Sequence, residues 1–247
     1  MTLYIIGIGL SDQKDITVKG LEIVASCDLV YLENYTSLLQ CTVQDLEQFY
    51  NKKIILADRI TAEQHDYKII NEAKTKKVAF LVIGDPFSAT THIELIRQAK
   101  ENNLIVKVIN NASVITAVGI TGLQLYKFGR ITSIPFDHPN LETPYLVLKE
   151  NLSLGLHTLF LLDLRPPRFM TITQAVAILE NIETRKNEKI INENTLAIGC
   201  ARLGSDNLIK VGRLKELKEF DFGQPPHCLI IPGKLHFVEK EFLELYL

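Results

Sequence analysis

The chain predicts an α/β protein of two α/β domains, with a parallel sheet in the N-terminal half and a mixed sheet in the C-terminal half. Three observations predict it. Short apolar runs alternate with helical patterns as far as Ile109. The run Val78–Ile83 passes through Gly84-Asp85-Pro86 into the helical pattern His92–Ala99, a strand–turn–helix unit. In the second half the rhythm changes, and Gly204-Ser205-Asp206-Asn207 is short enough to close an antiparallel hairpin. The expected domains are residues 1–112 and 113–247, packed closely because no low-complexity linker separates them.

The elements follow in order. Leu3–Gly9 reads as the first strand, and Asp15 or Thr17 opens a helix through Val18, Leu21, Val24 and Ala25. Asp28–Glu33 is the second strand, and Thr42 to Asp45 resembles a capping box that starts a short helix to Tyr50. Lys53–Ala57 is a strand, Thr61–Lys76 a helix, Val78–Ile83 a buried strand and Leu104–Ile109 the fifth strand. Strands separated by helices form parallel βαβ units. Ser113–Leu123 is apolar and punctuated by glycine, a helix bridging the halves. Strands are expected at Arg130–Ile134, His157–Asp163, Thr195–Arg202, Leu208–Gly212 and His227–Ile231, with a closing helix over Val238–Leu247.

Composition narrows the function. Lys+Arg number 27 against 29 Asp+Glu, so no basic field favours nucleic acid. Cys27, Cys41, Cys200 and Cys228 lie far apart and the six histidines are scattered, which implies neither a metal site nor a disulfide framework. No apolar run reaches the length of a membrane span, and Leu3-Tyr4-Ile5-Ile6-Gly7 carries no basic flank, so a cytoplasmic protein is expected.

Chemistry is expected at the strand ends. Gly84 allows close approach of the backbone, Pro86 stiffens the turn, and Asp85 is held where its charge can meet a ligand. The alternative is a plain turn with Ser88 or Thr90 capping the next helix. Gly7-Ile8-Gly9 with Glu33 closing the second strand suggests a dinucleotide site, but the third glycine is absent. Asp12 and Asp15 also stand where a pyrophosphate needs bare amide donors, a balance that favours the cationic S-adenosylmethionine over NAD. Asn110 to Val114 presents amides and the Ser113 hydroxyl. Leu162-Asp163 ends an apolar strand and reads at least as well as a structural turn, while His227 begins another strand, where a lone histidine is more often structural than catalytic.

Several strings together resemble the diphthine synthase family. They are Leu3-Tyr-Ile-Ile-Gly-Ile-Gly-Leu10, Asp15-Ile-Thr-Val-Lys-Gly-Leu-Glu22, Tyr35-Thr-Ser37, Gly84-Asp-Pro-Phe-Ser-Ala-Thr-Thr-His92 and Ala117 to Gly129. His157 to Asp163, Pro226-His227 and Pro232-Gly-Lys-Leu-His236 complete a likeness covering nearly the whole chain. The resemblance implies a tetrapyrrole methylase-like fold whose two domains hold S-adenosylmethionine in a cleft between them, in a homodimer. It implies methylation of a histidine of translation elongation factor 2 that bears a 3-amino-3-carboxypropyl group, without a metal. Carried over by position, the implied cofactor contacts are Leu10, Asp85, Ser88, Ser113, Val114, Leu162, Leu203 and His227. Position 88 is small and variable in the pattern, which implies a backbone contact. Leu203 departs from the smaller residues of that slot. No catalytic residue is implied. The chain is compact like the archaeal members, which stop at three methyl groups and diphthine, whereas Glu47 to Tyr50, Ala57-Asp58-Arg59, Gly84 to Phe87 and Pro166 to Met170 resemble the eukaryotic members, which add a fourth methyl as an ester; the resemblance implies four. The rival classes are a tetrapyrrole methyltransferase on the same fold and a nucleotide-binding module without chemistry.

Overall fold

A computed structural model of the chain describes residues 2–35, 37–58, 68–89, 92–137 and 141–246. It divides into two compact units, Met1–Ala117 and Val118–Leu247.

The first unit holds the expected parallel sheet. Its strands are β1 (Thr2–Gly7), β2 (Leu29–Glu33), β3 (Ile54–Ala57), β4 (Val78–Val82) and β5 (Ile105–Ile109), in the order β3-β2-β4-β1-β5. All four pairings are parallel. Every residue of β4 is buried, as a central strand covered on both faces requires. The helices are α1 (Val18–Ser26), α2 (Val43–Tyr50), α3 (Lys68–Ala73), α4 (Ile93–Glu101) and the single turn α5 (Val114–Ala117). Thr17, not Asp15, caps α1 by accepting from Gly20 N, and Thr42 with Asp45 forms the expected capping box of α2. The first part of the helix expected over Thr61–Lys76 lies outside the described residues, as do Thr36, Arg59, Thr90 and Thr91.

The second unit contains β6 (Thr132–Ile134), β7 (Thr158–Leu162), β10 (Leu196–Ala201), β11 (Leu208–Arg213) and β12 (His227–Ile231), in the order β11-β10-β12-β7-β6. β6–β7 is parallel and the other pairs are antiparallel, the expected mixed sheet with its β10–β11 hairpin. A small hairpin, β8 (Leu164–Arg165) with β9 (Arg168–Phe169), projects after β7. The helices are α6 (Thr143–Ser153), α7 (Ile172–Lys186), α8 (Leu214–Glu219) and α9 (Phe237–Leu243). Neither α6 nor α7 was among the sequence expectations. Both carried start signals: Pro144 in the first turn of α6, and Thr171 with Gln174 in a capping box at α7. Ile172, Ala175, Val176 and Leu179 of α7 pack with Phe160, Leu162, Ala201 and Leu229 in one core.

The continuous helix expected over Ser113–Leu123 does not form. A turn of α-helix passes into a 3₁₀ helix over Val118–Thr121 and stops at Gly122, whose φ of +82 is left-handed. A Cβ at Gly122 would lie 2.1 Å from Cδ1 of Phe242, so the same glycine admits that ring. Among the described residues no helix is long and apolar enough to cross a membrane.

Candidate functional site

In the first unit the loops after β1, β4 and β5 meet at the carboxyl end of the parallel sheet, where open α/β sheets place ligands. Gly9 and Gly84 form an isolated antiparallel bridge, with Gly84 N donating to Gly9 O at 2.8 Å. Their φ values of +81 and +84 are left-handed. Asn111 ties the third loop in, since its Nδ2 donates to Gly7 O and Asp15 O, both at 3.0 Å.

The two acids of the first loop are engaged locally. Asp15 Oδ2 accepts from Leu10 N at 3.0 Å and from Ser11 N at 2.7 Å, while Asp12 Oδ1 accepts from Lys14 N at 2.8 Å. Asp15 thus folds its own loop and does not stand free as a charge beside a cationic ligand. A pyrophosphate is excluded from Leu10 and Ser11 for a more direct reason: a carboxylate already occupies those amides.

Asp85 is buried and saturated. Oδ1 accepts from Phe87 N (3.0 Å) and Ser88 Oγ (3.2 Å); Oδ2 accepts from Asn110 Nδ2 (3.0 Å) and Asn111 N (3.1 Å). A carboxylate has about four acceptor positions, and these bonds fill them. Burial pushes its carboxyl up, but the bonds from Phe87, Asn110, Asn111 and Ser88 outweigh burial and hold it below the usual range. Asp85 therefore joins the β4 loop to the β5 loop. Ser88 donates to Asp85 rather than capping α4, whose N-cap residue, His92, makes no side-chain capping bond.

Ser113 lies at the end of the β5 loop, and Val114 opens α5. The Ser113 hydroxyl is buried and has no hydrogen-bond partner. Leu10, Asp85, Ser88, Ser113 and Val114 thus all stand on the three converging loops.

In the second unit, Leu162, Leu203 and His227 gather at one end of the mixed sheet. His227 opens β12 and pairs with Ala201 at the end of β10, two residues before Leu203. On its other side Cys228 pairs with Leu161, which puts Leu162 in register beside His227. The His227 ring donates from Nε2 to Gln224 O at 3.2 Å, leaving Nδ1 as a buried acceptor without a partner. Burial lowers its pKa against the opposing pull of the Gln224 and Gly223 carbonyls, so the ring is held neutral.

Sequence reasoning missed the buried pair Glu33 and His92, with Nε2 3.2 Å from Oε2. It also left unexplained why Lys127, His157, Gly233 and His236 recur in the quoted strings. They surround Glu239: His157 Nε2 lies 3.0 Å from Oε1, Lys127 Nζ reaches Oε2, His236 N donates to Oε2 at 2.7 Å, and Gly233 N donates to His157 Nδ1 at 3.0 Å. This buried network braces the second unit. A concavity of about 320 Å³ lined by Leu196, Arg213, Lys240 and Leu243 includes none of the expected site residues. Among the described residues no group of three His, Cys, Asp or Glu is placed to hold a metal ion.

Comparison with known proteins gives this geometry a family. Residues 2–218 match the family model of tetrapyrrole (corrin/porphyrin) methylases. The diphthine synthase of Methanocaldococcus jannaschii is 47% identical over 98% of this chain and 97% of its own. A probable diphthine methyl ester synthase of Arabidopsis thaliana is 46% identical over 99% of this chain and 98% of its own. The crystal structure of a diphthine synthase assigned in Entamoeba histolytica superposes with a TM-score of 0.91 at 44% identity, covering 99% of this chain and 98% of that one. The chain belongs to the diphthine synthases, methyltransferases of the tetrapyrrole methylase family.

Proposed function

We propose that the chain methylates the 3-amino-3-carboxypropyl histidine of translation elongation factor 2, as a cytoplasmic homodimer, with S-adenosylmethionine as donor. The cofactor contacts are Leu10, Asp85, Ser88, Ser113 and Val114 of the first unit and Leu162, Leu203 and His227 of the second, with Asp85 contributing through its backbone because its carboxylate is taken up by protein donors. One observation carries this: Ser113 Oγ and His227 Nδ1, at two positions the family pattern gives to the cofactor, are buried polar atoms without a protein partner. Such groups normally find one, and a ligand rich in hydroxyl and amino groups offers it. The donor, when bound, supplies a methyl carbon activated by a sulfonium, with a neutral thioether as leaving group.

The protein's part is to hold and orient. Asp85 sets the β4 and β5 loops against each other, and Asp15 fixes Leu10 through its amide. The amine accepts a methyl only as the free base, and orienting it in line supplies several powers of ten in rate. A fourth methylation, of diphthine to its methyl ester, requires the carboxylate to take the amine's place as nucleophile, and the likeness of Pro166 to Met170 to eukaryotic members supports a four-methyl product.

Transfer of labelled methyl from S-adenosylmethionine to purified elongation factor 2, with mass spectrometry of the target peptide at mild pH, tests the reading. Four added methyl groups are expected. Three would return the product to diphthine, and transfer to a tetrapyrrole instead of the factor would overturn the substrate. Light scattering that gives a monomer would remove the dimer.

A further inference from the structure

Glu33 ends β2 beside β4, with its side chain fully buried on the face that also carries Tyr31. One oxygen, Oε1, accepts from Ile83 N at 3.2 Å. The other, Oε2, meets His92 Nε2 at 3.2 Å. Ile83 is the residue before Gly84, and His92 is the residue before α4. A single carboxylate therefore grips both ends of the segment that carries Asp85 and Ser88. His92 is itself fixed: Phe80 meets its ring edge-on at 5.4 Å, Tyr35 stands at 6.4 Å, and the Tyr35 hydroxyl lies 3.4 Å from Nε2. The Nδ1 atom of His92 has no partner, and Nε2 carries the proton that the ring gives to Glu33.

Packing alone does not call for a carboxylate here. Burying one is costly unless it is bonded, and Glu33 sits among the apolar core of the first unit. What its two oxygens achieve together is a fixed span between Ile83 and His92. We propose that Glu33 and His92 are positioning residues of the methyltransferase site: they set the path of the Gly84–Ser88 turn and so the placement of Asp85 and the Ser88 backbone toward the cofactor. This rests on the proposed assignment of Asp85 and Ser88. It also explains why Glu33 fails as a ribose ligand, since the side chain has no exposure through which to reach one.

The test compares Glu33→Ala, which removes the carboxylate, with Glu33→Gln, whose amide oxygen still accepts from Ile83 N while its amide nitrogen can meet His92 only if the ring proton moves to the buried, partnerless Nδ1, so that one of the two anchors is kept. Two readouts are taken well below each variant's melting temperature, so that a loss of global stability alone does not move them: amide hydrogen exchange over residues 83–89, and calorimetric affinity for S-adenosylmethionine. Glu33→Ala is expected to speed exchange in that segment and weaken affinity by about tenfold or more, and Glu33→Gln, which keeps one anchor, to fall between it and the wild type on both. If Glu33→Ala does not fold, His92→Ala releases one end and is expected to act in the same direction. A folded Glu33→Ala with wild-type exchange and affinity overturns the proposal, as do equal losses in the Ala and Gln variants. Wild-type protein that binds no S-adenosylmethionine would instead remove the cofactor assignment, and the exchange measurement would still decide whether Glu33 sets the turn.

Discussion

His157 and Glu239, 82 residues apart in the chain, are hydrogen-bonded at 3.0 Å with both side chains fully buried. Gly233 N donates to His157 Nδ1, so the imidazole carries its proton on Nε2 and gives it to the carboxylate. Gln124 N donates to the same oxygen at 2.9 Å, and Lys127 and His236 bind the other. One carboxylate thereby collects the 124–127 segment, the start of β7 and the start of α9.

This network predicts acid sensitivity with a definite sign. Burial pushes the Glu239 carboxyl up, but the bonds from Lys127, Gln124, His236 and His157 prevail and bring it to about 2, against an ordinary 4.5. A depressed carboxyl contributes stability that is present above its unfolded pKa and lost as pH falls through the folded one, here between about 4.5 and 2. The shift corresponds to roughly 3 kcal/mol. Burial lowers the His157 pKa as well, so its contribution starts to fall away below its ordinary 6.5. Glu239→Gln is expected to lower the melting temperature at pH 7 and flatten the acid limb below pH 4.5, measured by calorimetry across pH. An unchanged acid limb would show that Glu239 does not drive it.

Asp85 gives the second prediction. Removing its carboxylate strands two backbone amides, an asparagine amide and a hydroxyl. Asp85→Ala should destabilise the first unit by roughly 2–4 kcal/mol and weaken S-adenosylmethionine binding in the same variant. Asp85→Asn should lie between, because its amide nitrogen faces donors. Chemical denaturation beside calorimetric binding separates the effects. Reduced affinity at full stability would mean that the carboxylate touches the ligand directly, as the sequence alone suggested.

The sequence showed the sheets more clearly than the functions of single residues. Apolar runs such as Val78–Ile83 and the cap at Thr17 follow local rules, and both appear where those rules put them. Helix α6 carries no clean apolar stripe, since Leu146 is exposed between buried Tyr145 and Val147, and it was not expected; nor was α7, although Thr171 and Gln174 mark its start. Asp15 was legible as an acid beside a glycine loop. That its carboxylate turns back onto Leu10 and Ser11 depends on the close approach at Gly9, which a string of letters does not show. Glu33 and His92 lie 59 positions apart in number and meet only because β2 lies beside β4.

Gly9 yields a third prediction. Its φ of +81 disfavours any side chain, and a Cβ there would lie 2.3 Å from Asp15 Cβ. Gly9→Ala must push Asp15 off the Leu10 and Ser11 amides. The variant is expected to lose about 2 kcal/mol or more of stability and to bind S-adenosylmethionine at least about tenfold more weakly. By contrast, a Cβ at Gly84 would meet nothing nearer than 3.8 Å, so Gly84→Ala meets only the strain of its φ of +84 and should fold better than Gly9→Ala. Reversed melting temperatures for the two variants would contradict this.

His227 carries the last prediction, because its two nitrogens are in opposite situations. Nε2 donates to Gln224 O, which fixes the proton there and leaves the Nδ1 lone pair buried and unmet. Burial lowers the ring's pKa, so in the folded protein it stays neutral through physiological pH, and the stability this brings is lost only as pH falls below 6.5 through the folded value. Nitrogen-15 spectra of the free protein should therefore show the Nε2–H tautomer with an unbonded Nδ1. Added S-adenosylmethionine should move the Nδ1 resonance toward that of a hydrogen-bonded acceptor and further lower the titration midpoint. His227→Ala should weaken binding about tenfold, as expected for losing one well-placed acceptor in a buried site. If the cofactor binds with wild-type affinity and the Nδ1 resonance does not move, His227 is a structural histidine at the start of β12, and the cofactor contacts of the second unit reduce to Leu162 and Leu203.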